Sequence, residues 1–292
     1  MKSMFRIGII GSENSHAAAF SKIFNTTDLY PDVKVVAIYG EDRKASEKIY
    51  HEYGVERLCD HPSEMEGMVD AIMVTSRHGG LHFKYAKPFI EKGLPAFIDK
   101  PITCDPMEAL DLVRTAASAK APFMGGSSTR LVPDTLKFKK AAEEALKKGT
   151  LAGGHVWAPV NMMNPYGDFW FYASHLVEIA LTIFGYRPFE VGAFRTDSGV
   201  TALLNYGAYA VHMTFSEGNY NYGATVIADE VTTGNIDISD CYSYECEEYV
   251  NMLRRGAMPQ DAHDFVEAVC VMNAIEESFR TGKRVRIVNV RA

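Results

Sequence analysis

Three short segments of this 292-residue chain carry side chains suited to chemistry. The first is Gly11-Ser12-Glu13-Asn14-Ser15-His16, where an apolar run gives way to a helical pattern. A helix N-terminus offers unpaired N–H groups and the positive end of its dipole, so this turn suits an anion, with Ser12, Asn14 and Ser15 as additional donors. A dinucleotide fingerprint places glycine at three positions of such a turn. Only Gly11 is present; Glu13 and His16 hold the other two, which puts a carboxylate near the place of a pyrophosphate. An ordinary strand-to-helix turn capped by Asn14 or Ser15 has the same residues. The second segment is Phe97-Ile98-Asp99-Lys100-Pro101, an apolar run ending in a carboxylate, an ammonium and a proline. In a parallel α/β sheet, ligands bind beyond the carboxyl ends of the strands, which directs Lys100 to the ligand crevice. In the third, His175 and Glu178 share a helix stripe with Phe171 and Thr182. A carboxylate beside an imidazole fixes its tautomer and raises its basicity. The same pair is also common on exposed helices with no chemical role.

The elements that position these groups follow from periodicity. Phe5 to Ile10 and Val33 to Tyr39 read as strands, as do the continuous apolar runs Ala71 to Thr75 and Ala96 to Asp99. Between them lie helices at His16 to Phe24, Arg43 to Tyr53 and Leu81 to Lys92, and another opens at Asp105-Pro106 with Glu108 completing a capping box. Strict alternation predicts a doubly wound parallel sheet. From about residue 122 the grammar changes, with a Gly/Ser stretch at Gly125 to Ser128. A Lys-rich helix capped by Asp134 and closed by Gly149 is followed by β-rich runs at His155 to Val160, Glu190 to Arg195, Tyr209 to Phe215, Ala224 to Ala228 and Ile236 to Ile238. A helix at Phe171 to Phe184, a late helix at Gln260 to Thr281 and a last strand at Val285 to Val290 complete the reading. The fold class is α/β: a doubly wound domain over residues 1–123, then an α+β domain over 124–292 with a mostly antiparallel open sheet.

Composition narrows the function. The net charge is -7 with no basic block, which removes the footprint that a nucleic-acid partner requires. The five cysteines are odd in number and dispersed, as in a reduced cytoplasmic protein. No apolar run is long enough for a membrane span. His16, His78 and His82 lack ligand spacing, and no metal is expected.

Several stretches together resemble the Gfo/Idh/MocA family of oxidoreductases. Asp99-Lys100-Pro101 is similar to its Glu-Lys-Pro signature, with a shortened acid. Val69-Asp70-Ala71-Ile72 with His82, Gly125 to Pro133, Lys148-Gly149-Thr150-Leu151-Ala152-Gly153 and Gly282-Lys283-Arg284-Val285 look like further family segments. Tyr172-Ala173-Ser174-His175 aligns with its histidine helix. Phe171 stands where the family has Asp and Ser76 where it has Pro, so the run from Trp170 to Glu178 resembles a divergent branch, with Glu178 replacing the lost acid. The resemblance implies a Rossmann fold and NAD or NADP held by Gly11, Ser12, Asn14, Ser15, His16, Glu41, Arg43, Thr75, Ser76, Asp99 and Lys100. In the choice of cofactor, Arg43 favours a 2′-phosphate, while Glu41 and Asp42 oppose it. It further implies that Lys100, His175 and Glu178 are catalytic, that Tyr166, Trp170 and Tyr172 face a sugar, inositol or other polyol beside Lys100 and His175, and that the protein is a homodimer or homotetramer. Trp170 also reads as simple core. Two alternatives remain: a Rossmann-scaffold binding or regulatory protein without cofactor, and a cofactor-assisted lyase or hydrolase.

Overall fold

The computed structural model describes residues 4–288. The chain divides into two compact units, one of Met1–Thr103, Met107–Gly125 and Tyr242–Ala262, the other of Cys104–Pro106, Gly126–Cys241 and His263–Ala292. It thus leaves the first unit near Gly125 and returns to it at Tyr242.

The first unit alternates β1 (Phe5–Ile10), α1 (Ser15–Thr26), β2 (Val33–Tyr39), α2 (Arg43–Glu52), β3 (Arg57–Leu58), β4 (Ala71–Val74), α3 (His82–Glu91), β5 (Ala96–Asp99), α4 (Pro106–Ala119) and β6 (Phe123–Gly126). Its strands form a six-stranded parallel sheet ordered β3-β2-β1-β4-β5-β6. Every residue of β4 and β5 is buried, which explains why these strands read as unbroken apolar runs. Helix starts follow local capping. Asn14 accepts from the His16 and Ala17 N–H groups, and Asp42 from those of Lys44 and Ala45. Gly11 has φ +103, and a Cβ there would strike the Ser76 backbone, so only glycine fits where the ends of β1 and β4 meet.

The second unit contains α5 (Pro133–Lys148), β7 (Gly153–Val160), α6 (Phe169–Phe184), β8 (Glu190–Thr196), β9 (Gly199–Asn205), β10 (Ala210–Glu217), β11 (Gly223–Ile227) and β12 (Val231–Asn235). After α7 (Cys241–Arg255) come α8 (Ala262–Thr281) and β13 (Val285–Arg286). The seven-stranded sheet runs β12-β11-β7-β10-β9-β8-β13. β7 and β10 pair in parallel and the other pairings are antiparallel. Helix α6 packs on β7 and β10, where the Phe169 and Phe215 rings lie 5.3 Å apart.

The expected α/β class and the change from a parallel to a mostly antiparallel sheet are what the structure shows. Four local readings need correction. Ile236 to Ile238 is not a strand. The strand lies upstream at β12, and buried Ile236 donates its N–H to the Tyr222 carbonyl as the chain turns toward α7. Asp134 does not cap α5: Pro133 stands in the first turn, and the Asp134 carboxylate accepts the Asp237 N–H at 3.0 Å. β6, four residues ending in two glycines, and β9, seven residues opening on glycine, are further strands. Helix α7 is a further element, whose buried stripe of Cys246, Tyr249, Val250 and Leu253 contains only two aliphatic residues. Residues 289 and 290 of the expected last strand lie outside the described residues.

Candidate functional site

In the first unit, the β1–α1 turn and the end of β5 are hydrogen-bonded into one cluster. Asn14 Nδ2 donates to the Thr75 carbonyl at 2.6 Å and to Asp99 Oδ2 at 3.1 Å. Asp99 Oδ1 accepts the Lys100 N–H at 2.6 Å, and His16 Nδ1 lies 3.0 Å from Oδ2. Burial works to raise the Asp99 carboxyl, but His16 and the Lys100 ammonium hold it well below the ordinary carboxylate range. Asp99 therefore remains a carboxylate, with Lys100 buried beside it.

His16 turns inward, unlike the cofactor donor expected of it. It is 6% exposed, and Nε2 lies 3.8 Å from Glu245 Oε2 on α7. The Ser12 hydroxyl also faces the protein, 2.8 Å from Ser46 Oγ and 3.3 Å from the Asp42 carbonyl. Thr75 is buried and donates to the Gly11 carbonyl at 2.5 Å. The Ser76 carbonyl meets His82 Nε2 at 2.7 Å, and Nδ1 of that buried ring lies 2.7 Å from the Pro101 carbonyl. Burial pushes the His82 imidazole below its ordinary value. Ser15 Oγ pairs with the Tyr242 hydroxyl at 2.7 Å.

Beyond β2, Asp42 is used as a helix cap. Arg43 is engaged by Asp60 at 2.6 Å, Glu47 at 3.3 Å and the Cys59 carbonyl at 3.3 Å. Exposed Glu41 accepts the Tyr85 hydroxyl at 2.7 Å. Burial and that carboxylate push the Tyr85 phenol far up.

A second cluster lies wholly within the second unit, around α6. His175 Nδ1 is 2.7 Å from Ser127 Oγ, which is 2.6 Å from Thr129 Oγ1. Glu178 Oε2 accepts the Ser127 N–H at 2.8 Å and lies 3.7 Å from Arg130 Nε. Gly126 has φ +77, and a Cβ there would collide with the Glu178 carboxylate. Glu178 is thus a clamp on the Gly126-Ser127 backbone, and Ser127, rather than the expected Glu178, meets the histidine at Nδ1. The half-buried rings of Tyr166 and Phe171 lie 6.0 Å apart, and Tyr172 is 6.0 Å from His175 and 6.4 Å from Tyr220. Trp170 differs: it is 9% exposed and donates its Nε1 proton to Glu276 at 2.8 Å, which is the core role.

Sequence reasoning missed Ser127, Arg77, Tyr242 and Glu245. Ser127 sits in a run of small residues with no chemical signature, and the α7 pair is remote in sequence from the turn it covers. Among the described residues, no group of three or more His, Cys, Asp or Glu is placed to hold a metal ion, and no helix is long and apolar enough to cross a membrane.

A parallel sheet whose strand order reverses between β1 and β4, with an N–H-rich turn at the reversal, defines the doubly wound nucleotide-binding class. Residues 5–127 match the model of the GFO_IDH_MocA family, described as an oxidoreductase family with an NAD-binding Rossmann fold. No curated protein matches the sequence. Among solved structures, the chain is similar to a scyllo-inositol dehydrogenase from Lactobacillus casei with bound NAD(H) and scyllo-inositol. The TM-score is 0.83 at 15% identity, with 97% of this chain and 99% of that one covered. Myo-inositol 2-dehydrogenase from Lactobacillus plantarum gives 0.83 at 16%, covering 98% and 100%. GenD2 from gentamicin A biosynthesis, in complex with NAD, gives 0.85 at 14%, covering 98% and 97%. At these identities the likeness is one of fold.

The residues at the turn suit a dinucleotide. The Ser12 and Arg77 N–H groups converge on one carboxylate, that of Glu13, at 2.8 and 3.0 Å. Two N–H groups aimed at one carboxylate are the kind of donor set that an anion requires.

Proposed function

We propose that the protein is a nicotinamide-dependent oxidoreductase acting on a hydroxyl-bearing carbon of a sugar, inositol or related polyol. One observation carries the reading: Asp99 accepts the Lys100 N–H and is bound by Asn14 and His16 of the β1–α1 turn, so the ammonium-bearing segment and that turn are joined through one carboxylate. A bound nicotinamide supplies the hydride chemistry. Lys100, beyond the carboxyl end of β5, binds and orients the substrate hydroxyl and lowers the cost of its ionisation. In the second unit, His175 is held at Nδ1 by Ser127, so proton exchange by this ring falls to Nε2. Tyr166 and Tyr172 offer ring faces and hydroxyls suited to a polyol. Glu41 accepts ribose hydroxyls, and with Arg43 engaged elsewhere the reading is NAD over NADP. Phe194 and Leu203, 69% and 47% exposed on one face of β8 and β9, favour a homo-oligomer, which light scattering measures.

The Glu13 carboxylate favours a second reading, a scaffold without cofactor. Fluorescence titration with NADH and NADPH decides between them, since the first reading requires binding of at least one at millimolar concentration or below. Lys100→Ala and His175→Ala, made separately, are expected to keep cofactor binding and lose turnover on a polyol panel. Unchanged turnover in both rejects their assignment.

A further inference from the structure

In a doubly wound sheet the ligand crevice opens where the strand order reverses, here between β1 and β4. Its lips are the Gly11-Ser12 turn and the segment from Thr75 to Arg77. Glu13 lies across it, one carboxylate oxygen accepting the Ser12 N–H at 2.8 Å and the other the Arg77 N–H at 3.0 Å. Backbone N–H groups at such a turn are the donors that hold phosphate oxygens, so a carboxylate there competes with a diphosphate for the same partners. An ionised carboxylate left in place also repels an incoming diphosphate. Glu13 is half-buried, in contact with solvent. Both of these hydrogen bonds come from backbone N–H groups, so releasing the carboxylate from them breaks no side-chain pairing.

We propose that Glu13 is an internal occupant of the diphosphate place, displaced when a dinucleotide seats. It holds the two lips together in the cofactor-free protein and lowers cofactor affinity. The proposal rests on the nicotinamide reading above.

The test is NADH and NADPH titration of wild type, Glu13→Ala and Glu13→Gln, with thermal melts of each in the absence and presence of the tighter-binding cofactor. Loss of two charge-assisted hydrogen bonds and of the repulsion predicts about tenfold or more tighter binding by Glu13→Ala, with Glu13→Gln between it and wild type. The cofactor-free midpoints of both variants are expected to fall, and cofactor to raise them by more than it raises that of wild type. Equal or weaker binding by the variants, with wild type binding normally, overturns the role of Glu13 and leaves the oxidoreductase reading standing. Binding of neither cofactor by any of the three proteins overturns both. Glu13→Gln keeps the side chain's length, so the comparison survives if Glu13→Ala folds poorly.

Discussion

The clamp at Gly126 gives a quantitative prediction. Gly126 is left-handed at φ +77, and a Cβ at this position enters the space of the Glu178 carboxylate. Gly126→Ala therefore combines two costs: about 1 to 2 kcal/mol for an L-residue in a left-handed conformation, and about 1.5 to 3 kcal/mol for pushing Glu178 off the Ser127 N–H. The expected loss is about 2.5 to 5 kcal/mol, read as a lower urea midpoint with an unchanged slope. The same substitution in a Glu178→Ala background should cost only the backbone part, about 1 to 2 kcal/mol, because no carboxylate remains to be displaced. Equal costs in the two backgrounds, or a loss below about 1 kcal/mol in the first, would refute the idea that Glu178 clamps this backbone.

Three other outcomes follow from the same geometry. Ser127→Ala removes the hydrogen bond at His175 Nδ1 and should lower kcat about tenfold with a shifted pH profile and little change in KM. Ser127→Thr should restore it, and an unchanged profile would count against a positioning role. Because the folded Asp99 carboxyl sits below its ordinary value, its stabilising contribution is complete above about pH 4 and is lost as pH falls further. Asp99→Asn should therefore unfold with a flatter acid dependence than wild type; parallel acid curves would contradict this. Burial pushes Cys59 up, Cys246 well up and Cys270 up to about 12, whereas Cys104 is half-buried. At pH about 8, thiol labelling followed by mass spectrometry should mark Cys104 first and the other three only in urea; early labelling of Cys270 would show that the α8 core opens.

The doubly wound half was legible because its central strands are buried on both faces and its first two helices carry their own caps. Ile7, Ile9, Val35, Ile72 and Phe97 declare the sheet without help from distant contacts. The placement of Asp99 and Lys100 was legible for the same reason, since a strand end is a local feature. What the sequence concealed are partnerships across long separations. Ser127 meets His175 and Glu178 only once α6 is folded, and Glu178 looked like a helix neighbour of His175 because spacing reports proximity along one helix and says nothing of the loop packed against it. Likewise, His16 reads as a turn residue until Glu245 and Tyr242 arrive beside it.

The return of Tyr242–Ala262 to the first unit bears on how the protein is made. Tyr249 is fully buried there, its hydroxyl donating to the Ile72 carbonyl and its ring 6.1 Å from Phe97 and 6.5 Å from Phe24. A ribosome that has released only the first 125 residues has made a sheet whose aromatic side still lacks its cover. That half stays incomplete until α7 has been translated.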